Sequence, residues 1–195
     1  MLSKASDIAT RSTSRNQTIP PARWYRSLAA AGLHNPDVHG SARYWLQVQG
    51  SFTRALQKHC TTSFHVEVQR EGFAAPAPEE ARRLRIPARQ RAWIREVRLC
   101  GDGEPWVLAR TVIPLTCLKG EGRRLLHLGN KPLGAFLFSS RNWQRGPIET
   151  GLCITGNPAP GNSARPAIAR RSLFNNTHSA LLVGEYLLPA LFRQG

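Results

Sequence analysis

The chain has 195 residues, enough for one domain with a substantial core and too few for two comfortable ones. Hydrophobic residues make up 41% and charged residues 20%, a globular balance that excludes a wholly disordered chain. With 27 Lys and Arg against 12 Asp and Glu, the formal charge of +15 draws nucleic acid, acidic headgroups or small polycarboxylates alike and does not choose among them.

Residues 1–19 form a leader rich in Ser, Thr and Arg, without the apolar stretch of a secretory signal, and are expected to be disordered. After Pro20-Pro21, the spacing of Trp24, Leu28 and Leu33 predicts one face of a short helix, broken at Asn35-Pro36-Asp37. A second helical stretch covers 42–59, interrupted at Gly50-Ser51, with Ser51 placed to cap the part that carries Phe52, Leu56 and His59.

From Ser63 the period changes to two. Phe64, Val66 and Val68 alternate with His65, Glu67 and Gln69, the pattern of a half-buried strand. Residues 74–80, rich in Ala, Pro and Glu, read as a loop, and basic residues follow up to Gln90. Residues 92–100 and 106–113 flank Gly101-Asp102-Gly103-Glu104 and form the clearest hairpin, ended by Pro114. Short helical pieces follow over 115–139, punctuated by Gly129 and Pro132, then a strand near 143–150. Residues 157–166 have loop composition. A second hairpin, 169–174 and 180–188 around Asn175-Asn176, closes the chain. Helices in front and hairpin-linked strands behind predict a single α+β domain over residues 20–195, with a mainly antiparallel sheet.

Two strands carry a charge on the face that should be buried. Arg95 sits among Trp93, Val97 and Leu99, and Glu185 among Leu181, Val183 and Leu187. Burying an unpaired ion costs several kcal/mol, so each requires a partner, a ligand or water. The two could form a structural salt bridge, or a one-residue slip could put Glu96 and Arg98 inside instead. The alternative is a polar cluster in an apolar cavity, the composition of a small-molecule site. Arg70 and Arg110 show the same pattern. The pairs Arg82-Arg83, Arg123-Arg124 and Arg170-Arg171 read as solvated faces.

Other chemistry finds no positive support. There is no GxSxG, GxxxxGK[ST], HExxH or GxGxxG. Six histidines lack metal spacing, and His65 and His127 read as surface or core residues rather than ligands. Four cysteines (Cys60, Cys100, Cys117, Cys153) stand apart without CxxC, as reduced thiols of a cytoplasmic protein do. No apolar run approaches the roughly 18 residues needed to span a bilayer, so no stable membrane insertion is expected.

Several blocks in order resemble bacterial chorismate lyases. These are Arg70-Glu71-Gly72-Phe73, the hairpin from Trp93 through Gly101-Asp102-Gly103-Glu104-Pro105-Trp106, and Ala109-Arg110-Thr111-Val112-Ile113-Pro114. Leu128-Gly129-Asn130-Lys131-Pro132-Leu133-Gly134, Arg170-Arg171-Ser172 and Glu185-Tyr186-Leu187-Leu188-Pro189 complete the set, which covers about residues 50–191. The resemblance implies an antiparallel sheet with helices packed over it and a ligand site enclosed beneath flaps. It implies elimination of pyruvate from chorismate to give 4-hydroxybenzoate, the first committed step of ubiquinone biosynthesis. It further implies a monomer without cofactor, metal or nucleic-acid partner. Carried over by position, Arg95 would take the ring carboxylate, with a bidentate grip as the expected geometry, and Glu185 would lie near the ring hydroxyl. Leu133 would contribute backbone from a flap, and Phe52 an apolar contact where the family has Met or Leu. Arg70 and Arg110 are the candidates for a second cation on the side-chain carboxylate. The rival reading is a non-catalytic ligand-binding domain of the same fold, as in GntR-type regulators, for whose winged helix the N-terminal segment is short. A changed product such as 3-hydroxybenzoate is a third.

Overall fold

The period-two segments become one sheet. The computed structural model describes residues 19–139, 142–154 and 165–193, apart from the side chains of Asp37 and Glu121. Residues 1–18 of the expected leader and residues 157–164 of the expected loop lie outside the described residues, whereas Ile19, counted with the leader, is described and buried with Leu108 and Tyr186. In chain order the strands are β1 (Ala22–Tyr25), β2 (Phe64–Ala74), β3 (Ala92–Gly101), β4 (Glu104–Pro114), β5 (Gln144–Arg145), β6 (Glu149–Cys153), β7 (Ile168–Asn175) and β8 (Ala180–Leu187). They form an eight-stranded sheet of order β1-β6-β7-β8-β4-β3-β2, with β5 paired to β7. Every pairing is antiparallel. The α+β expectation holds.

The helices are α1 (Leu28–Gly32), α2 (Ser41–Gln47), α3 (Phe52–His59), α4 (Pro78–Leu84) and α5 (Leu133–Ser139). Ser51 caps α3 as predicted, its Oγ accepting from Arg54 N at 3.3 Å. Two 3₁₀ turns, Leu115–Leu118 and Gly120–His127, lead to α5. Among the described residues, no helix is long and apolar enough to cross a membrane.

Three local expectations are corrected. Trp24 lies in β1, not on a helix, opposite Gly151, where a Cβ would sit 2.7 Å from the indole. The ring covers that glycine and the Arg171 guanidinium at 4.2 Å, so its apolar spacing reflects cross-strand stacking. Leu33 follows the end of α1 and is 86% exposed. The supposed loop over 74–80 contains the start of α4, with Pro78 at its first turn and Glu80 Oε2 accepting from Ala77 N at 2.8 Å. The strand expected near 143–150 is split into β5 and β6.

The first hairpin turns on Asp102 and Gly103, both at positive φ (51° and 83°). The Asp102 carboxylate accepts from Thr61 N, Thr62 N and both threonine hydroxyls, locking the end of α3 to the hairpin.

Two apolar clusters hold the covering segments to the sheet. Trp45, Leu46, Phe52 and Leu56 of α2 and α3 join Val66, Val97 and Leu99. Leu125, Leu128, Leu133 and Leu137 join Ile113, Phe174 and Leu181. Leu84 of α4 meets Ile94, Val112 and Leu182, residues whose strand neighbours line the other side of the sheet.

Candidate active site

A cavity lies at the seam between those two clusters. Phe52, Val66, Val97, Leu99 and Ala109 wall it from one, and Leu133, Leu137 and Phe174 from the other. The space it leaves free of protein atoms, open solvent at its mouth included, is about 520 Å³. Arg95 and Glu185 both line it, and so do Phe52 and Leu133. The four residues marked from sequence are brought together.

Arg95 and Glu185 do not pair with each other. Arg95 Nε donates to Glu71 Oε1 at 2.7 Å, and Nη2 donates to the carbonyls of Gly129 and Lys131 at 2.6 and 3.2 Å. Nη1 takes part in none of these bonds. The side chain is 2% exposed, and burial lowers its pKa while the Glu71 carboxylate opposes that fall. With Nε and Nη2 committed, a forked grip on a ligand carboxylate would have to break the bonds to the loop before α5. Nη1 is the guanidinium nitrogen outside these bonds that faces no such cost.

Glu185 is held by a residue that the sequence reading left at the surface. Arg170 is 0% exposed, and its Nε donates to Glu185 Oε2 at 2.7 Å. Its Nη1 donates to the carbonyls of Trp45 and Val48 at 3.0 and 2.8 Å, and its guanidinium lies 4.5 Å from the Phe52 ring centre. One arginine thus orients the carboxylate and secures the segment between α2 and α3. Arg171, next in the strand, points to the opposite face, where it donates to Glu149 Oε2 at 2.6 Å. Neither is a solvated residue: consecutive strand positions are both buried because both faces are covered.

The starts of α3 and α5 converge on the cavity. Phe52 and Leu133 open these helices, where the first N–H groups have no partner within the helix and carry the positive end of its dipole. The approach is close. A Cβ on Gly134 would lie 2.9 Å from Ser51 Oγ and 3.5 Å from Thr53 Oγ1. Glycine permits the contact.

The other two candidate cations miss the cavity. Arg70 is exposed on the edge strand β2. Arg110 faces the far side, where it donates to both oxygens of Glu80, at 2.7 and 2.9 Å, and to Glu96. Glu96 is therefore buried as well as Arg95: each face of β3 carries its own buried charge, and no register slip is needed to explain either. Arg145, on the two-residue strand β5, is the second cation that lines the cavity. Sequence reasoning missed it because two residues show no alternation. It lies between two blocks of the resemblance and in neither of them. Thr53 and Thr111 add hydroxyls to the lining.

Among the described lining residues, Glu185 alone is of a metal-ligating type. His65, Glu67 and Cys100 approach one another within 4.8 Å, but outside the cavity, and burial raises the Cys100 thiol to about 11, so it keeps its proton at neutral pH.

Comparison with known proteins finds relatives over most of the chain. The family model described as chorismate lyase matches residues 28–195. A probable chorismate pyruvate-lyase of Marinobacter nauticus is 66% identical over 176 residues, covering 90% of this chain and 91% of the relative. The chorismate pyruvate-lyase of Yersinia enterocolitica is 38% identical over 181 residues, covering 92% and 96%. Among solved structures, the effector domain of PhnF from Mycobacterium smegmatis aligns with a TM-score of 0.50 at 15% identity, over 72% of this chain and 90% of that one. That likeness concerns the fold alone.

Proposed function

The chain belongs to the chorismate lyase family, and we propose that it eliminates pyruvate from chorismate to leave 4-hydroxybenzoate. The observation that carries this reading is an apolar cavity with a buried guanidinium on one wall and an oriented carboxylate on another. A ring bearing a carboxylate at one end and a hydroxyl at the other is complementary to that pair.

In this reading Arg95 Nη1 meets the ring carboxylate. The first N–H groups of α3 and α5, at Phe52 and Leu133, complete its shell. Glu185, fixed by Arg170, accepts from the C4 hydroxyl and sets the orientation of the ring. The reaction breaks the C4–H bond and the C3–O bond. The C4–H electrons become the ring double bond, and the oxygen leaves as the ketone oxygen of pyruvate. The methylene of the side chain gains the hydrogen to become the methyl group. Aromatisation drives the step, so no cofactor is required by the chemistry. The protein's contribution is to hold the reactive conformer and exclude water. The transfer can be internal, from C4 to the methylene, with Glu185 positioning only.

The product would leave slowly from beneath two covering segments. It would feed ubiquinone synthesis, with the enzyme a cytoplasmic monomer. The test is to incubate the purified protein with chorismate and a chelator, without added cofactor, and follow products by ultraviolet spectroscopy and chromatography. Equal amounts of 4-hydroxybenzoate and pyruvate are expected. Unchanged chorismate with a folded protein would refute the reading in favour of ligand binding without turnover, which the PhnF-like fold also accommodates. An Arg95→Ala variant that kept normal turnover would remove Arg95 from the site.

A further inference from the structure

Resting on the reading that chorismate occupies the cavity, we propose that Arg145 binds the carboxylate of the enolpyruvyl side chain and stabilises the charge that develops as it departs. Chorismate carries two carboxylates, and an apolar cavity accepts an ion only beside a counter-charge. Arg95 answers for the first. Among the described residues lining the cavity, Arg145 is the one other cation.

Its charge is also the one less closely answered by a carboxylate. Arg95 is paired to Glu71 at 2.7 Å, and Glu185 is paired to Arg170 at 2.7 Å. Arg145 Nη2 lies 4.0 Å from Glu185 Oε2, near it but beyond hydrogen-bond reach. The side chain is 12% exposed. Burial, with Arg170 nearby, draws its pKa down to about 10 against the pull of Glu185, which still leaves a full cation at neutral pH. A buried cation that shares, at 4.0 Å, a carboxylate already bonded to Arg170 is a place prepared for an incoming anion.

The position suits the substrate. The C3 side chain is adjacent to the C4 hydroxyl assigned to Glu185, so its carboxylate must lie a few ångströms from that residue, which is where Nη2 stands. The rest of the guanidinium is fixed. Nε donates to Ser172 Oγ at 3.2 Å, Nη1 donates to Gly50 O at 2.9 Å, and the group sits 5.4 Å from the Phe174 ring centre. The bond to Gly50 joins this cation to the turn that leads into α3. Such an oriented donor needs no rearrangement as negative charge moves onto the enolpyruvate oxygen.

The product lacks the side chain, and this separates the assignment from its alternatives. Arg145→Met and Arg145→Lys are to be compared with the unaltered protein in chorismate turnover and in 4-hydroxybenzoate binding by calorimetry. We expect Arg145→Met to lower kcat/KM by about a hundredfold or more while product affinity changes by less than about threefold. Arg145→Lys should recover part of the loss by restoring charge. Product binding at near-normal affinity shows that the variants are folded and that Glu185 is in place. Turnover within about threefold of normal in Arg145→Met would overturn the proposal. So would equal losses of turnover and product affinity in both variants, which would mark a structural role. Failure of the unaltered protein to convert chorismate would overturn the functional reading itself, and this assignment with it.

Discussion

Replacing Arg170 by Met should cost more stability than its conservative volume suggests, and a second substitution should return much of the loss. Arg170 is fully buried, and its loss strands the Glu185 carboxylate, 11% exposed, together with the carbonyls of Trp45 and Val48. Breaking a buried pair from one side costs about 3–5 kcal/mol. Glu185→Leu should fall in the same range, because it leaves the guanidinium without its carboxylate. Arg170→Met with Glu185→Leu removes both charges, so the remaining deficit is that of the two carbonyls, roughly 1–3 kcal/mol each. Each single carries in addition a pair-breaking cost that the double escapes, so the singles would sum to about 6–10 kcal/mol more than the double, and the cycle would report strong coupling. Denaturant unfolding followed by tryptophan fluorescence measures all four proteins, with turnover expected to be abolished wherever Glu185 is absent. A double variant as unstable as the sum of the singles would refute the reasoning. Arg170→Met within about 1 kcal/mol of the parent would do the same.

Arg110→Met should lower stability by about 3–5 kcal/mol, since it leaves Glu80 and Glu96 buried without their cation. Its kcat/KM for chorismate, assayed well below the melting temperature, should be unchanged, because the residue faces away from the cavity. Asp102 is held well below the usual carboxylate range by the Thr61 backbone N–H, the Cys60 thiol and the Thr62 donors. A depressed folded pKa means that its stabilisation is complete above pH of about 4 and drains away as the pH falls. The gap in urea midpoint between the parent and Asp102→Asn should thus narrow steadily on acidification below pH 4, and a constant gap would contradict the assignment. Gly134→Ala should push the start of α5 away from Ser51 and speed release of 4-hydroxybenzoate several-fold in stopped-flow measurements. Pairing it with Ser51→Gly should reverse the effect, because the Oγ at 2.9 Å is then gone.

The site was legible where a charge interrupted an apolar stripe. Arg95 and Glu185 stand on long strands, so alternation made them conspicuous before any partner was known. The same logic failed in three places. Arg145 sits on a strand too short for a pattern. Arg170 and Arg171 looked like a solvated pair because a sequence does not reveal that both sheet faces are covered. The cover on the far face is α4, which was read as a loop because the residue it buries against Arg110 is Glu80, not an apolar one. Hydrophobic periodicity is blind to a helix docked partly through ion pairs, although Pro78 followed by Glu79 and Glu80 was a usable start signal. Arg110 was flagged by the right anomaly and assigned to the wrong side, since Leu108 and Val112 share its far face, while Trp106 packs with His59 and the cluster of α2 and α3.

The placement of opposite charges on successive residues of β3 bears on how the chain finds its pairing. Glu96 stands opposite Arg110, and Arg95 opposite Thr111. Sliding β3 by one residue to bring Arg95 opposite Arg110 would set two cations side by side and turn Glu96 toward the cavity. A strand of Val and Leu alone would tolerate that error far better. The guanidinium proposed to receive the substrate thus also makes misregistered hairpins uncompetitive during folding, so a neutral substitution at Arg95 should trade fidelity of assembly as well as catalysis.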